Sequence, residues 1–586
     1  MSPVPPTNAR TLLLRIFDAW RSDSLAGYSE SDAFEIFASE LVLRPYDLVL
    51  DDIKAGIVGG GQDGAIDSVY VFFDDNLIDE DSEVVDPSSK ATDFSQDRLL
   101  ELWVIQAKKS PAFEEGTLDK IENTIRRLLQ LDQPLESLSA LYNERLLGRI
   151  GLFRNAWDNL ITRRPRISIN VVYATTGDRR GVTPQVEMKV EALRQVIAVA
   201  VPDPGLVTVE LMGDRELAGR YNERPSYTVR MEYQESATSG NSHVALVKLK
   251  DYYDLIVDEN GRLRRHLFEW NVRDYQGNVE VNKGIRKSLT SPESPEFWWL
   301  NNGVTVLCSD ATSVGKAYSL SDIQIVNGLQ TSHEIYGVLK NDRTPETENK
   351  MLLVRIIVTA DATTRDEVIR ATNRQTAVTD ASLRATDYVQ RQIEDYFLTK
   401  GWYYDRRKNF YKNDGKEVSK IVGIPFLGAA ITAMGLARPD KSRGKPSSLL
   451  KNNDDYRQVF GSSIDLEIYL WAAKLQRGAD FFIVSDAADA TIEQRSNLKF
   501  HLSMLVVDSL NGGPVKRPQQ LRALASRDAS FTDDEMKELF EKLKRWANDY
   551  LKTEGVILER AAKAQSFSQY LLRKASEERA AAQARA

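Results

Sequence analysis

The chain has 586 residues, of which 42% are hydrophobic and 28% charged, with a formal net charge of −8. It is too long for one core, so roughly two to four domains are expected, and the acidic balance argues against a surface coated for nucleic acid while leaving room for local basic grooves. The single Cys308 excludes an internal disulfide and the four scattered histidines (His243, His266, His333, His501) exclude a zinc site of the usual spacing, so any metal should be hard and oxygen-ligated.

The first residues, MSPVPPTNARTLLLRIF, hold neither an apolar signal core nor a small-residue cleavage site, and no window approaches about eighteen apolar residues in a row. A cytoplasmic protein with no membrane partner is expected. A first helix covers TLLLRIFDAW, and a second covers SDAFEIFASELVL, where Phe34, Phe37, Ala38 and Leu41 form an apolar stripe flanked by Glu35 and Glu40. A strand-like segment ending in Asp67 follows (GGGQDGAIDSVYVFF), then an acidic stretch from Asp74 to Asp97 that reads as a solvated hairpin extension. In the next strand, LELWVIQAKKS, side chains alternate across the sheet: Leu102, Val104, Gln106 and Lys108 share one face, Trp103, Ile105 and Ala107 the other. The helix TLDKIENTIRRLLQL places Leu118, Ile121, Ile125 and Leu128 on one face, and ISINVVYATT supplies a further strand.

Asp67 followed by the Gln106-x-Lys108 pair resembles the active site of the PD-(D/E)xK nuclease superfamily, in the variant with Gln before x-Lys that Mrr-like restriction endonucleases carry. The resemblance implies a restriction-endonuclease-like α/β core over residues 1–225. It also implies Mg²⁺ or Mn²⁺ held by Asp67 and a Gln106 oxygen, with Asp63 as a second carboxylate. Lys108 would position the attacking water or steady the phosphorane, and Glu35 would be the acidic residue of the first core helix. The 106 − 67 = 39 residues between Asp67 and Gln106 exceed the compact family spacing, the excess being the acidic stretch. A second reading of Asp63 and Asp67 makes them turn caps in a glycine-rich loop.

A mixed α/β part occupies residues 226–400, with the polar stretch QESATSGNSH near its start reading as a boundary loop. Four ordered motifs lie in it: NVRDY with Arg273, WWLNNG with Asn302, IVNGLQT with Asn327, Gln330 and Thr331, and ATNRQT with Asn373 and Gln375. Together, over about 250 to 400, they resemble the AIPR family, named for abortive infection and phage resistance in bacteria. IQIV reads as a strand, Asn327-Gly328 as a turn, and Thr331-Ser332 as N-caps of the helix HEIYGVL. Free N–H groups there would favour phosphate, with Asn302, Gln330, Asn373 and Gln375 adding polar contacts and Arg273 or Arg286 adding charge. IVNGLQTSHE also resembles segments of ParB-like proteins, some of which bind nucleotides. The competing reading makes Asn302-Gly303 a hairpin turn after WWL and leaves the other motif residues as caps. Trp298 and Trp299 read as core and interface anchors, and Cys308 as a buried small hydrophobe.

Residues 401–586 are helical in period and read as an α-rich domain. GWYYDRRKNFYKN interleaves Tyr403, Tyr404, Phe410 and Tyr411 with Arg406, Arg407, Lys408 and Lys412, the composition either of a nucleic-acid groove or of a solvated hairpin. The chain is thus expected to be a multidomain α/β plus α protein: a Mg²⁺-dependent nuclease acting in phage defence and controlled by an AIPR sensing domain. Its expected partners are nucleic acid, DNA before RNA, a nucleotide or phage-derived trigger, and a second copy in a homodimer. Two other classes compete: a ParB-like nucleotide module with a vestigial nuclease site, and a non-catalytic adaptor of a restriction system.

Overall fold

A computed structural model describes residues 7–583 except 26, 87–88, 95, 202–204, 223–227, 260, 269–279, 292, 360, 374–386, 407–408, 414, 445–452 and 462. The N-terminal part is a three-layer sandwich. Its elements run α1 (Asn8–Ser24), α2 (Glu30–Val42), α3 (Leu50–Ala55), β1 (Ser68–Phe73), β2 (Asn76–Leu77), β3 (Leu99–Lys108), α4 (Glu115–Leu128), α5 (Glu144–Leu160), β4 (Arg166–Thr175), α6 (Pro184–Ala200), β5 (Leu206–Met212) and α7 (Asp214–Asn222). The sheet order is β2-β1-β3-β4-β5, with β1 antiparallel to β3 and the later neighbours parallel.

The alternation read from β3 sets its two faces. Leu100, Leu102 and Val104 pack with Leu118, Ile121 and Ile125 of α4 and with α5 and α6, while Ile105 and Ala107 pack with Phe34, Phe37 and Leu41 of α2 and with α1. Two local expectations fail. Asp67 precedes β1 rather than ending a strand, because the glycines before it turn the chain, with Gly60, Gly61 and Gly64 all at positive φ. The acidic stretch is only partly solvated: Ile78, Val84 and Val85 are buried in the core, and Asn159 of α5 donates to the Val84 carbonyl at 3.0 Å. Its scattered apolar residues outweigh its charge as anchors.

The middle part begins with β6 (Val229–Glu232), β7 (Glu235–Ser239), β8 (Ser242–Lys248), α8 (Leu249–Ile256), α9 (Glu280–Thr290) and α10 (Phe297–Leu300). It continues with β9 (Val304–Cys308), β10 (Asp310–Ser313), β11 (Ala317–Ser321), β12 (Gln324–Asn327), α11 (Leu329–Asn341), α12 (Pro345–Asn349), β13 (Met351–Val358) and α13 (Ala362–Asn373). One sheet has the order β12-β9-β13-β8-β7 and a smaller one β10-β11-β6. QESATSGNSH is therefore the β7–β8 hairpin and not a loop: its Ser and Thr residues suit an exposed edge strand, and Gly240 makes the turn. WWL is helical, so Asn302-Gly303 joins a helix to a strand. Phe297 is buried, whereas Trp299 is 65% exposed and anchors no core. Cys308 is buried as read.

The C-terminal part has its own core, running from Ile393 to Ala575. The helices Ile424–Gly435, Leu466–Val484, Ile492–Asn511, Asp533–Glu554 and Gln565–Gln583 fall where the sequence period puts them. The segment 403–405 is a strand paired in parallel with Ile421–Gly423, which replaces the expected hairpin. Among the described residues no helix is long and apolar enough to cross a membrane.

Candidate active site

Asp67 is fixed by its backbone before its side chain acts. Its N–H donates to the Ile105 carbonyl at 3.0 Å, and its own carbonyl accepts from Val58 at 2.7 Å and Gly59 at 3.1 Å. That ties the glycine loop, the start of β1 and the middle of β3 into one corner. Its Oδ2 accepts from Gln106 Nε2 at 2.6 Å and from the Ala107 N–H at 2.7 Å. Asp67 and Gln106 are only 7% and 5% exposed. Gln106 Oε1 is buried with no hydrogen-bond partner, a costly arrangement for an amide oxygen unless something is meant to face it.

Glu35 of α2 reaches the same corner. A Cβ on Gly59 would lie 2.9 Å from Glu35 Oε2 and 3.7 Å from Asp67 Oδ1, so the two carboxyls face one another across a position that only glycine leaves open. Burial, joined by the Asp67, Asp32 and Asp63 carboxylates, pushes the Glu35 carboxyl up to about 9. Burial likewise pushes Asp67 up to about 7, with the Ala107 N–H drawing it back, Asp63 raising it, and Lys108 and Gln106 lowering it. Two crowded, desolvated acids hold protons for want of positive charge.

The remaining nuclease-like residues divide. Lys108 stands on the Gln106 face of β3, but its Nζ pairs with Glu114 Oε2 at 2.7 Å and lies 3.4 Å from the Thr117 hydroxyl. This pair is largely exposed, and such pairs hold weakly, so the ammonium is available to an incoming anion. Asp63 braces its own loop, one oxygen accepting from Ala65 at 2.9 Å and the other from Gly61 at 3.3 Å. Its turn-cap role is thus realised, whereas Asp67 is engaged across strands. The sequence did not point to Asn143, the N-cap of α5, which clamps the loop by donating to the Val58 and Gly61 carbonyls at 3.0 and 2.9 Å. An Asn before the apolar period of α5 marked a cap but not this second duty.

The donor set is all oxygen, matching a hard cation: two carboxyls short of positive charge and one orphaned amide oxygen. Among the described residues no three of His, Cys, Asp and Glu form a metal-holding group. Mg²⁺, which keeps several waters and needs only one or two carboxylates besides substrate oxygens, suits that set better than Ca²⁺.

The middle motifs are arranged differently. Gly328, at φ +99, is itself the N-cap of α11, so Thr331 and Ser332 lie in the first turn and cap nothing. The Ser332 hydroxyl instead lies 2.8 Å from the Gly328 carbonyl and 2.6 Å from the Tyr252 hydroxyl, and Thr331 is buried. A Cβ on Gly328 would sit 3.2 Å from the Gly303 carbonyl, so the two Asn-Gly turns pack on each other. Gln330 accepts from Asn282 at 2.8 Å, and Arg286 pairs with the buried Glu334 at 2.8 Å. Asn327 ends β12, half-buried, while Asn302 is exposed and its carbonyl accepts from Arg355 at 2.9 Å. Asn373 ends α13, a helix that packs on β12; Arg273, Gln375 and the Asn373 side chain lie outside the described residues. Arg406 is bound to Glu394 at 2.5 Å, Tyr411 donates to the same Glu394 at 2.9 Å, and Arg407 is outside the described residues.

Residues 268–554 match the family model described as AIPR protein. The match supports AIPR identity for that stretch. It runs past the 250-to-400 extent of the motifs and takes in most of the C-terminal helices, so the AIPR stretch combines strands β9, β12 and β13 of the middle sheet with a helical bundle, while β7 and β8 of that sheet precede it. Neither a curated protein nor a solved structure matches the chain.

Proposed function

We propose that this chain is a phage-defence effector in which a divalent-cation-dependent nuclease site at Asp67 is joined to an AIPR stretch. The observation that carries the nuclease half is the Asp67 corner: a carboxylate held by Gln106 and the Ala107 N–H, facing Glu35, with an orphaned Gln106 oxygen beside it. The defence half follows from the AIPR match and the family's association with abortive infection.

Asp67, Glu35 and Gln106 Oε1 would hold the cation. When bound, it supplies a Lewis acid for a phosphodiester oxygen and lowers the pKa of a coordinated water. Asp67 keeps its orientation through two hydrogen bonds, so little reorganisation is needed when charge develops. Lys108 exchanges Glu114 for the substrate phosphate and balances its growing negative charge.

The test is cleavage of labelled DNA and RNA by the purified chain with Mg²⁺ or with chelator. Cleavage that needs the cation and is lost in both Asp67→Ala and Lys108→Ala supports the assignment. Full activity in either variant removes it.

A further inference from the structure

The C-terminal helices touch the glycine loop and the α2 helix beside the Asp67 corner. Gly60, beside the Gly59 position that separates Glu35 from Asp67, lies directly under Ile492: a Cβ there would collide with the Ile492 Cδ1. One turn further along the helix Ile492–Asn511, Arg495 reaches Asp32 of α2 at 3.4 Å. This is the same Asp32 whose charge acts on Glu35.

The contact continues through further ion pairs. Lys412 pairs with the buried Glu40 at 2.9 Å, Arg477 with Asp51 at 3.5 Å, and Lys563 with Glu80. Asn409 donates to the Asp47 side chain and carbonyl, both at 3.0 Å. In each contact the N-terminal part gives the acid or acceptor and the C-terminal part the cation or donor. Arg495–Asp32 and Lys563–Glu80 are partly exposed and are weakened by salt, whereas Lys412–Glu40 and Arg477–Asp51 are more buried and part readily only when another anion takes the carboxylate's place. In this arrangement Asp67 and Gln106 are only 7% and 5% exposed, so a phosphodiester reaches them only if the corner opens.

We infer that the start of the helix Ile492–Asn511, through Ile492 and Arg495, is an autoinhibitory latch over the Glu35–Asp67 corner, held by the ion-pair seam and released before a polyanionic substrate enters. The inference rests on the nuclease reading for its purpose but not for its geometry. A polyanion is also the natural competitor for the seam, because the cations that hold Asp32, Glu40, Asp51 and Glu80 bind phosphate as readily as carboxylate.

Charge reversal in the full chain tests the latch. Hydrogen–deuterium exchange of backbone amides 56–68 should speed up by about tenfold or more in Arg495→Asp, and also in the milder Ile492→Ala. It should return toward the parent rate when Asp32→Arg is added to Arg495→Asp, and Mg²⁺-dependent DNA cleavage should rise in the two single variants. Parent-like exchange in both single variants, or a loop that stays open in the double reversal, overturns the latch. Faster exchange with no cleavage in any variant keeps the latch and sinks the nuclease reading, whereas parental cleavage with unchanged exchange does the reverse.

Discussion

Compared with the middle sheet, the N-terminal sheet holds fewer motif residues but leaves more of their chemistry unanswered. At the Asp67 corner, Gln106 Oε1 has no partner and two carboxyls are pushed together against their charge. In the middle part Gln330 accepts from Asn282, Ser332 meets Tyr252, and Gly303 and Gly328 pack on one another. The family motifs there describe how strands and turns approach, whereas on the proposed reading the sparse residues of the first sheet are left for a cation to satisfy. Residues satisfied by their own fold are evidence of architecture; residues left strained are better evidence of chemistry.

The largest effects should come from the first sheet. Asp67→Ala and Lys108→Ala should lower cation-dependent cleavage by on the order of 100-fold or more while far-UV dichroism stays parental. The reverse pattern, intact cleavage with lost stability, would make this corner architecture too. In the middle sheet the expected loss is of stability. Gly328→Val places a branched side chain at φ +99, against Val304 at 2.7 Å, and should cost on the order of 1–3 kcal/mol by chemical denaturation. Ser332→Ala strips the buried Tyr252 hydroxyl of a partner and should cost about 1–3 kcal/mol. A ligand-binding or protection defect in Ser332→Ala at unchanged stability would show that the middle motifs bind something after all.

Proton linkage sharpens the contrast further. Glu35 and Asp67 have folded pKa values above the ordinary carboxylate range, so between that range and about 7 to 9 the native state holds protons that the unfolded chain has released. Stability contributed by these groups is present at low pH and lost as pH rises through those values. Cation-free protein should therefore lose denaturant resistance across this window, and Glu35→Gln should flatten part of the loss. Gln106→Glu should steepen it, by setting a third acid against Asp67, and Mg²⁺ should restore that variant most. The smallest effect is expected from Gln330→Ala, about 1 kcal/mol from the lost Asn282 bond.

The alternation of β3 and the stripe of α2 were legible because periodicity is local, and in the fold Glu35, Gln106 and Lys108 come to the end of the sheet where the glycine loop places Asp67. The apolar run WWL was not, since three residues cannot show whether their period is 2 or 3.6. Thr331 and Ser332 looked like caps because Ser and Thr favour that position, but glycine at positive φ took it one turn earlier. GWYYDRRKNFYKN read as a free basic surface because its partners, Glu394 and Glu40, lie elsewhere in the chain. Contacts between distant segments leave no local signature, and the seam over the Asp67 corner consists of such contacts.

Calorimetric titration of Mn²⁺ into the chain, the Asp67→Ala variant and the Asp63→Ala variant tests the central claim most directly. One site is expected in the parent and in Asp63→Ala, whose carboxyl serves its own loop, and none in Asp67→Ala. Equal Mn²⁺ binding by the parent and Asp67→Ala, or no binding by the parent, would contradict a cation site at this corner.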